Sequence, residues 1–426
     1  MIEGTGPCFS TCPYFPRLRF KPVFLKPMSN LSKRVQSITP SVTLGIEAKA
    51  KELKAQGKDI ISLSAGEPDF DTPAFIQQAA IKAMQSGFTR YTAAAGTVEL
   101  RKAVCAKLER DQGLKFAPDQ IVVSCGAKHS LFNIFFALLN EGDEVIIPSP
   151  FWLSYPEMAQ MFGAKSVFIE TAQASGFKVL PAALEKAITP KTKIFVINSP
   201  SNPTGAVYSK EELQALVAVL KKHPHVTVVS DEIYETLVYD GRKHYSIAQL
   251  DPEVGARTIL VNGMSKSYAM TGWRLGYAAF PMKDAAKAVA GFQSHSTSNP
   301  TSFAQSGGLA ALEQGAADAK AMCEVFEKRR TWFYEQISRL PKLKPFRPEG
   351  AFYLFVDIAE TGMGSLKLSE ALLEEIALAV VPGLPFGSDR HIRMSFATSE
   401  KNLEKAVLRL AGWLNKHNPH PASAQR

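Results

Sequence analysis

Between residues 60 and 263 the chain repeats one pattern, in which a short, wholly apolar run is followed by a longer stretch with helical spacing. The runs at 60–63, 121–124, 145–147, 166–169, 194–197, 226–229 and 258–261 read as strands. Helical periodicity covers 43–56, 74–85, 98–110, 130–139 and 210–222, then 305–340 with a break near Gly315, and finally 399–415. The strands do not alternate apolar with polar positions, so both of their faces are buried. The fold class that follows is α/β, a mainly parallel sheet sandwiched by helices. Residues 349–357 add a strand that belongs to a second domain. In such a sheet, ligands collect at the carboxyl ends of the strands.

Composition narrows the classes. The chain has 426 residues, 46% hydrophobic and 21% charged, enough for two domains and unlike a disordered chain. Its net charge of +9 is spread along the sequence, which suits anionic small molecules at least as well as nucleic acid. Five cysteines, an odd number without CxxC spacing, argue against a disulfide framework and for a reducing compartment. The histidines form no HExxH and no Cys/His cluster, so no metal site is expected. No apolar run reaches the roughly 20 residues of a membrane span. Residues 1–27 hold Arg17, Arg19, Lys21 and Lys26 against a single acid, Glu3, as a transit peptide would, but prolines interrupt any amphipathic helix. With Met28 as a second start, the expectation is an extension that is disordered or missing from the mature chain. The protein is then cytoplasmic, organelle import being the minor alternative. The tail at 416–426 reads as frayed.

The strand ends carry the candidate chemistry. The run at 258–261 ends in Asn262-Gly263, and Ser265-Lys266 follows where strand gives way to irregular chain. Lys266 is thereby held still. Eight residues on, Arg274 lies between Gly272 and Gly276, where a guanidinium can approach an anion. An amine and an anion clamp so close suit a carbonyl compound bearing a phosphate, and pyridoxal phosphate is one. Taken alone, Lys266 reads as a solvated surface charge; its neighbours change that weighing. The strand ending at Val229 delivers Ser230-Asp231-Glu232-Ile233-Tyr234, in which Asp231 reads either as half of a plain salt bridge or as the partner of a pyridine nitrogen. The strand ending at Ile197 leads to Asn202-Pro203, and 121–124 delivers Gly126-Ala127 at a helix start, where unpaired N–H groups favour an anion.

Four ordered motifs carry a resemblance: Ser199-Pro-Ser-Asn-Pro-Thr-Gly205, Ser230-Asp-Glu-Ile-Tyr234, Ser265-Lys-Ser267 with Arg274, and Arg393 before Met-Ser-Phe-Ala-Thr. Over residues 28–415 the chain resembles the class I/II pyridoxal-phosphate aminotransferases. The Ala65-Gly-Glu-Pro-Asp-Phe-Asp-Thr-Pro73 loop and Met270-Thr-Gly-Trp-Arg274 are similar to the bacterial-type aspartate aminotransferases in particular. The resemblance implies a fold-type I enzyme with a smaller α+β domain, acting as a homodimer with shared active sites. It also implies a division into an arm with part of the small domain at 28–73, a large cofactor-binding domain at 74–310 and the small domain at 311–415.

Carried over position by position, Lys266 binds the cofactor covalently and moves the proton, Asp231 pairs with the ring nitrogen, and Asn202 and Tyr234 donate to the phenolic oxygen. Trp152 stacks on the ring. Gly126, Ala127, Ser265 and Arg274 hold the phosphate, with Tyr91 reaching in from the second subunit. Arg393 takes the substrate's α-carboxylate as a bidentate pair, with Gly66 and Asn202 alongside. Lys128 and the neighbouring subunit's Ser296 receive a distal carboxylate, and Ser41 and Thr43 lie near the same pocket. The expected reaction is ping-pong transfer of the amino group from L-aspartate to 2-oxoglutarate. A broader aromatic, alanine or prephenate range is the alternative, and Thr39, at a position basic in prephenate-using relatives, speaks against prephenate. A carbon–sulfur lyase and a non-catalytic regulator share the scaffold, but a DNA-binding regulator needs an added helix-turn-helix module. Neither nucleic acid nor membrane is an expected partner.

Overall fold

The computed structural model describes residues 30–36, 38 and 42–417. The extension at 1–27, Cys8, Cys12, Thr39, Ser41, the side chain of Thr43 and the tail from 418 lie outside the described residues. The described residues up to Ile38 belong to a separate unit, in which Lys33–Gln36 makes a single helical turn and Gln36 donates to the Leu31 carbonyl at 2.8 Å. Everything below concerns the second unit, 39–426.

Valine, isoleucine and threonine in the apolar runs suit the doubly buried setting of inner strands. Seven strands form the main sheet: β1 (Ile121–Ser124), β2 (Glu144–Ser149), β3 (Lys165–Glu170), β4 (Thr192–Asn198), β5 (Thr227–Asp231), β6 (Thr258–Gly263) and β7 (Gly276–Ala279). Their order is β1-β7-β6-β5-β4-β2-β3. The pairs β3–β2, β2–β4, β4–β5 and β5–β6 are parallel, while β7 is antiparallel to both β6 and β1. Six strands therefore run in one sense and only β7 is reversed. All six carboxyl ends fall on one edge, and the chain entering β7 starts from that same edge. One apolar cluster includes Ile134, Val196 and Val229, and another on the opposite side includes Phe195, Leu216 and Val228.

A smaller antiparallel sheet has the order Val381–Pro382, His391–Ser395, Tyr353–Asp357, Lys344–Pro345. The long helix Ala316–Ser338 and the helices Ser365–Ile376 and Glu400–Lys416 pack around it. One core joins Phe326, Phe352 and Leu403 to Tyr234 and Leu237, just beyond β5, so the two sheets share apolar contacts.

Two expectations need correction, and one helix, Lys283–Ser296, is added to those predicted. The run at 60–63 forms only Ile61–Ser62 and pairs in parallel with Leu378–Ala379, outside the main sheet. Lys266 sits in a one-turn helix, Met264–Ser267, and not in irregular chain. The polar stretch from Gln293 is still helical to Ser296; Gln293 is polar because its buried amide donates to the carbonyls of Ala94 and Val123 and accepts from Asn133. Strand β7 gave only a weak apolar signal, since it opens on a glycine and holds two alanines beside Tyr277. A Cβ on Gly276 would lie 2.2 Å from the Ala127 backbone nitrogen.

That contact predicts a contrast between neighbours. Gly276→Ala forces backbone apart and costs about 1–3 kcal/mol as an overpacking change, whereas Gly272→Ala, with nothing within 4 Å of the added carbon, stays within about 0.5 kcal/mol of the parent. Urea denaturation of the two variants checks this.

Candidate active site

The shared edge brings the candidate residues together. The end of β1 leads through Gly126, at φ 92°, into the helix Ala127–Leu138. β2 leads to Trp152 and Tyr155, β4 to Asn198 and Asn202, β5 to Asp231 and Tyr234, and β6 to Ser265 and Lys266. Arg274 precedes β7, and Arg393 comes from the smaller sheet. Except for Gly126, these residues line one cavity of about 550 Å³, joined by Ser64, Gly66, Lys128 and Tyr353.

Of the charged groups in this cavity, Asp231 and Arg393 are buried, Lys266 is half-buried, and Glu67, Lys128 and Arg274 are exposed. Lys266 donates from Nζ to the Gly66 carbonyl and lies 6.0 Å from the centre of the Tyr234 ring. Burial, opposed by Glu67 but aided by Arg274, Arg393 and Lys128, brings its pKa down to about 8. Asp231 is buried and accepts from Tyr155 Oη at 2.6 Å and from the Ile233 N–H at 3.3 Å. Burial nevertheless lifts its carboxyl to about 6, so a cation brought against it would be welcome. Arg393, only 3% exposed, donates to Asn202 Oδ1 and the Ser64 carbonyl, each at 3.0 Å. Its plane is 4.2 Å from the Tyr353 ring centre and 5.1 Å from that of Phe386. Its Nε is left without a partner, and no carboxylate pairs with it among the described residues.

Two further features favour anions. No side chain caps the helix that begins at Ala127, and the Arg274 guanidinium packs against Gly126 so closely that a Cβ there would meet Nη2 at 2.6 Å. Arg274 is itself steadied by the Thr271 carbonyl at 2.9 Å. Lys128, in the first turn of that helix, stands 4.9 Å over the Trp152 ring, and its amine is pushed below the usual lysine range by burial and by Arg274.

Two expected residues are elsewhere. Tyr91, 90% exposed, and Ser296, also exposed, do not line the cavity of this chain. Several groups that do line it escaped the sequence reading. Tyr155 follows Trp152 by one helical turn, a spacing that could have drawn attention to it. Tyr353, bonded to Tyr234 Oη at 2.8 Å, looks in sequence like any strand aromatic. Outside the cavity, Glu232, Glu235 and His244 bring ligand-type atoms within 4.8 Å of one another. Donors already serve them: Lys107 bonds Glu235, and Gln112 bonds Glu232 at 2.7 Å. Cys105, Cys125 and Cys323 are free thiols, and no described helix is long and apolar enough to cross a membrane.

Together these groups offer an amine that gives up its proton more readily than an ordinary lysine, a desolvated carboxylate, an anion cradle and a separate buried guanidinium. They fit an aldehyde-bearing, phosphate-bearing pyridine and, beside it, a carboxylate. Comparison with known proteins agrees. The model of the family "Aminotransferase class I and II" matches residues 58–410. The aspartate aminotransferase of Bacillus subtilis (strain 168) is 49% identical over 91% of this chain and 100% of its own length. The aspartate/prephenate aminotransferase of Nitrosomonas europaea is 46% identical over 90% and 100%. The structure of aspartate aminotransferase from Thermus thermophilus with maleate superposes with a TM-score of 0.87 at 45% identity, covering 90% of this chain and all of that one. With sheet, cavity and sequence in accord, the chain belongs to the class I and II aminotransferases, pyridoxal 5'-phosphate-dependent enzymes that move amino groups between amino acids and 2-oxo acids.

Proposed function

We propose that this aminotransferase takes its amino group from L-aspartate and passes it to 2-oxoglutarate, both half-reactions using the one cavity. The observation that carries this reading is a pair of cations, Arg393 and Lys128, on the wall of the cavity that holds the Lys266 amine; neither pairs with a carboxylate among the described residues. A dicarboxylic substrate would satisfy both. A monocarboxylic one would leave Lys128 with only the Trp152 ring.

Bound pyridoxal phosphate supplies an aldehyde to hold the amino group and a protonated ring to withdraw electrons from it. The chain's own residues do the rest. Gly126, Ala127, Ser265 and Arg274 would hold the phosphate, and Trp152 would cover the ring. Asp231 would pair with the ring nitrogen, whose positive charge would draw its carboxyl back toward the ionised form, while the Tyr155 hydroxyl fixes the direction of that carboxyl. Asn202 and Tyr234 donate to the phenolic oxygen; Asn202 keeps Nδ2 for this because Oδ1 is taken by Arg393. Lys266, with its amine near pH 8, can accept the proton from the substrate's Cα and return it to the cofactor carbon. Arg393 and Gly66 receive the α-carboxylate, and Lys128 the distal one.

The same reading makes the active unit a homodimer, in which Tyr91 and Ser296, exposed here, serve the neighbouring cavity. It takes 74–310 as the large domain, with 28–73 and 311–415 forming the arm and the small domain, and it places the enzyme in the cytoplasm. A wider acceptor range including prephenate is the second reading. Relatives bearing that name support it, as does a space of about 380 Å³ beyond Lys128 and Arg274 walled by Phe132, Met158 and Met161.

The protein loaded with pyridoxal phosphate should absorb in the visible, and Lys266→Ala should lose that band and about 10⁴-fold or more in turnover, measured spectrophotometrically. Lys128→Ala should lower kcat/KM for aspartate by about 10–100-fold, the worth of a hydrogen bond to a charged group, and leave alanine and phenylalanine nearly unchanged. A panel of donors with 2-oxoglutarate and prephenate checks both readings, and equal losses across donors would remove the case for a dicarboxylate.

A further inference from the structure

Glu67 has no part in the chemistry described above, yet its loop is built against the lysine. Gly66, its chain neighbour, accepts from Lys266 Nζ. Glu67 Oε2 accepts from Thr271 Oγ1 at 2.8 Å, and both residues line the cavity. The loop is tied down further along, where Thr72 Oγ1 donates to the Ala269 carbonyl at 2.7 Å and accepts from Trp273 Nε1 at 3.0 Å. Asp69 pairs with Arg329 at 2.7 Å. The carboxylate is therefore fixed on the segment between Lys266 and Arg274.

The charges around the amine are unbalanced. Arg274, Arg393 and Lys128 face it from three elements, and Lys51 lies on the same cavity wall. Against them stand Asp231 and Glu67, together with the phenols of Tyr234 and Tyr353. On the reading proposed above, Asp231 is matched by the cofactor's ring nitrogen, which leaves one carboxylate for the ammonium.

We infer that Glu67 is a positioning residue that acts through Lys266, supplying the counter-charge that lets this amine hold a proton amid three cations. This rests on Lys266 being the cofactor-binding lysine. Without that charge, burial and the cations would favour the neutral amine still more, and Lys266 would give up a proton readily but retain one poorly. The direction is consistent with the electrostatics around Lys266, where Glu67 raises the lysine's affinity for protons.

The test uses cofactor-free protein and needs no turnover. Only the neutral amine condenses with an aldehyde, so the rate of pyridoxal phosphate capture, followed by visible absorbance, rises with pH through the lysine's midpoint near 8. Glu67→Gln keeps an acceptor for Thr271 and removes the charge. Its midpoint should fall by roughly half a unit, about three times more free amine at a fixed pH below the midpoint. High salt screens the exposed Glu67 along with Lys128 and Arg274, so the difference in midpoint between parent and variant should shrink as salt is added. Glu67→Asp, which keeps the charge, should stay closer to the parent, and Thr271→Val, which frees the carboxylate without deleting it, should shift less than Glu67→Gln. An unchanged or raised midpoint in Glu67→Gln, with normal uptake by the parent, overturns this inference alone. Failure of the parent to capture the cofactor at Lys266 overturns the proposed function instead.

Discussion

Like charges converging on one partly dehydrated cavity are the constraint from which the rest of this site follows. Lys128, Lys266, Arg274 and Arg393 share it with two carboxylates, Glu67 and Asp231. Cations that close repel one another, and burial weakens the water that would screen them. The chain holds them there by fastening each to a different element: a helix start, a one-turn helix after β6, the entry to β7, and a strand of the smaller sheet. Arg393 is enclosed where it stands, whereas Lys128 and Arg274 keep one side to solvent. The unsatisfied charge is what makes the cavity a receptor for anions, since a phosphate and one or two carboxylates would neutralise what the protein leaves open. Binding energy is thus prepared by folding, at the expense of stability in the empty state.

Much of this was visible in the sequence, and the boundary of what was visible has a physical explanation. Apolar runs located six of the seven strands of the main sheet: β2, β4, β5 and β6 are inner strands covered on both faces, β1 is buried although it lies at one edge, and only β3, at the other edge, is largely exposed. β7 escaped because it opens on Gly276, where the Gly126–Ala127 backbone leaves no room for a side chain, and a glycine with two alanines in four residues gives only a weak hydrophobic signal. The candidate residues were legible wherever the chemistry demands an ionisable group next to a strand end, as at Asp231 and Lys266. Groups that act by contact were not. Tyr155 touches Asp231 across 76 positions of sequence, and Tyr353 meets Tyr234 across 119, relations that only the topology creates. Lys266 was expected in irregular chain because a four-residue helix is too short to show periodicity.

The two cations proposed to hold substrate carboxylates are built to different standards. Arg393 is immobilised: two hydrogen bonds and two aromatic rings fix the guanidinium, and it has the planar fork that matches a carboxylate. Lys128 is held only by the Trp152 ring and by its own helix turn, and its side chain is a flexible stem ending in a point charge. On the proposed reading this difference is what a two-substrate reaction in one cavity requires. Every amino acid and 2-oxo acid presents the same α-carboxylate at the same distance from the reacting carbon, so a rigid clamp costs nothing in scope and orients the Cα–H bond. The distal carboxylates of aspartate and 2-oxoglutarate differ in reach by one methylene. A rigid guanidinium at that end would suit one chain length and exclude the other, whereas a lysine can retract or extend by a rotamer change. Restricting rigidity to the end common to all substrates therefore lets one cavity select for a second acid without selecting its length.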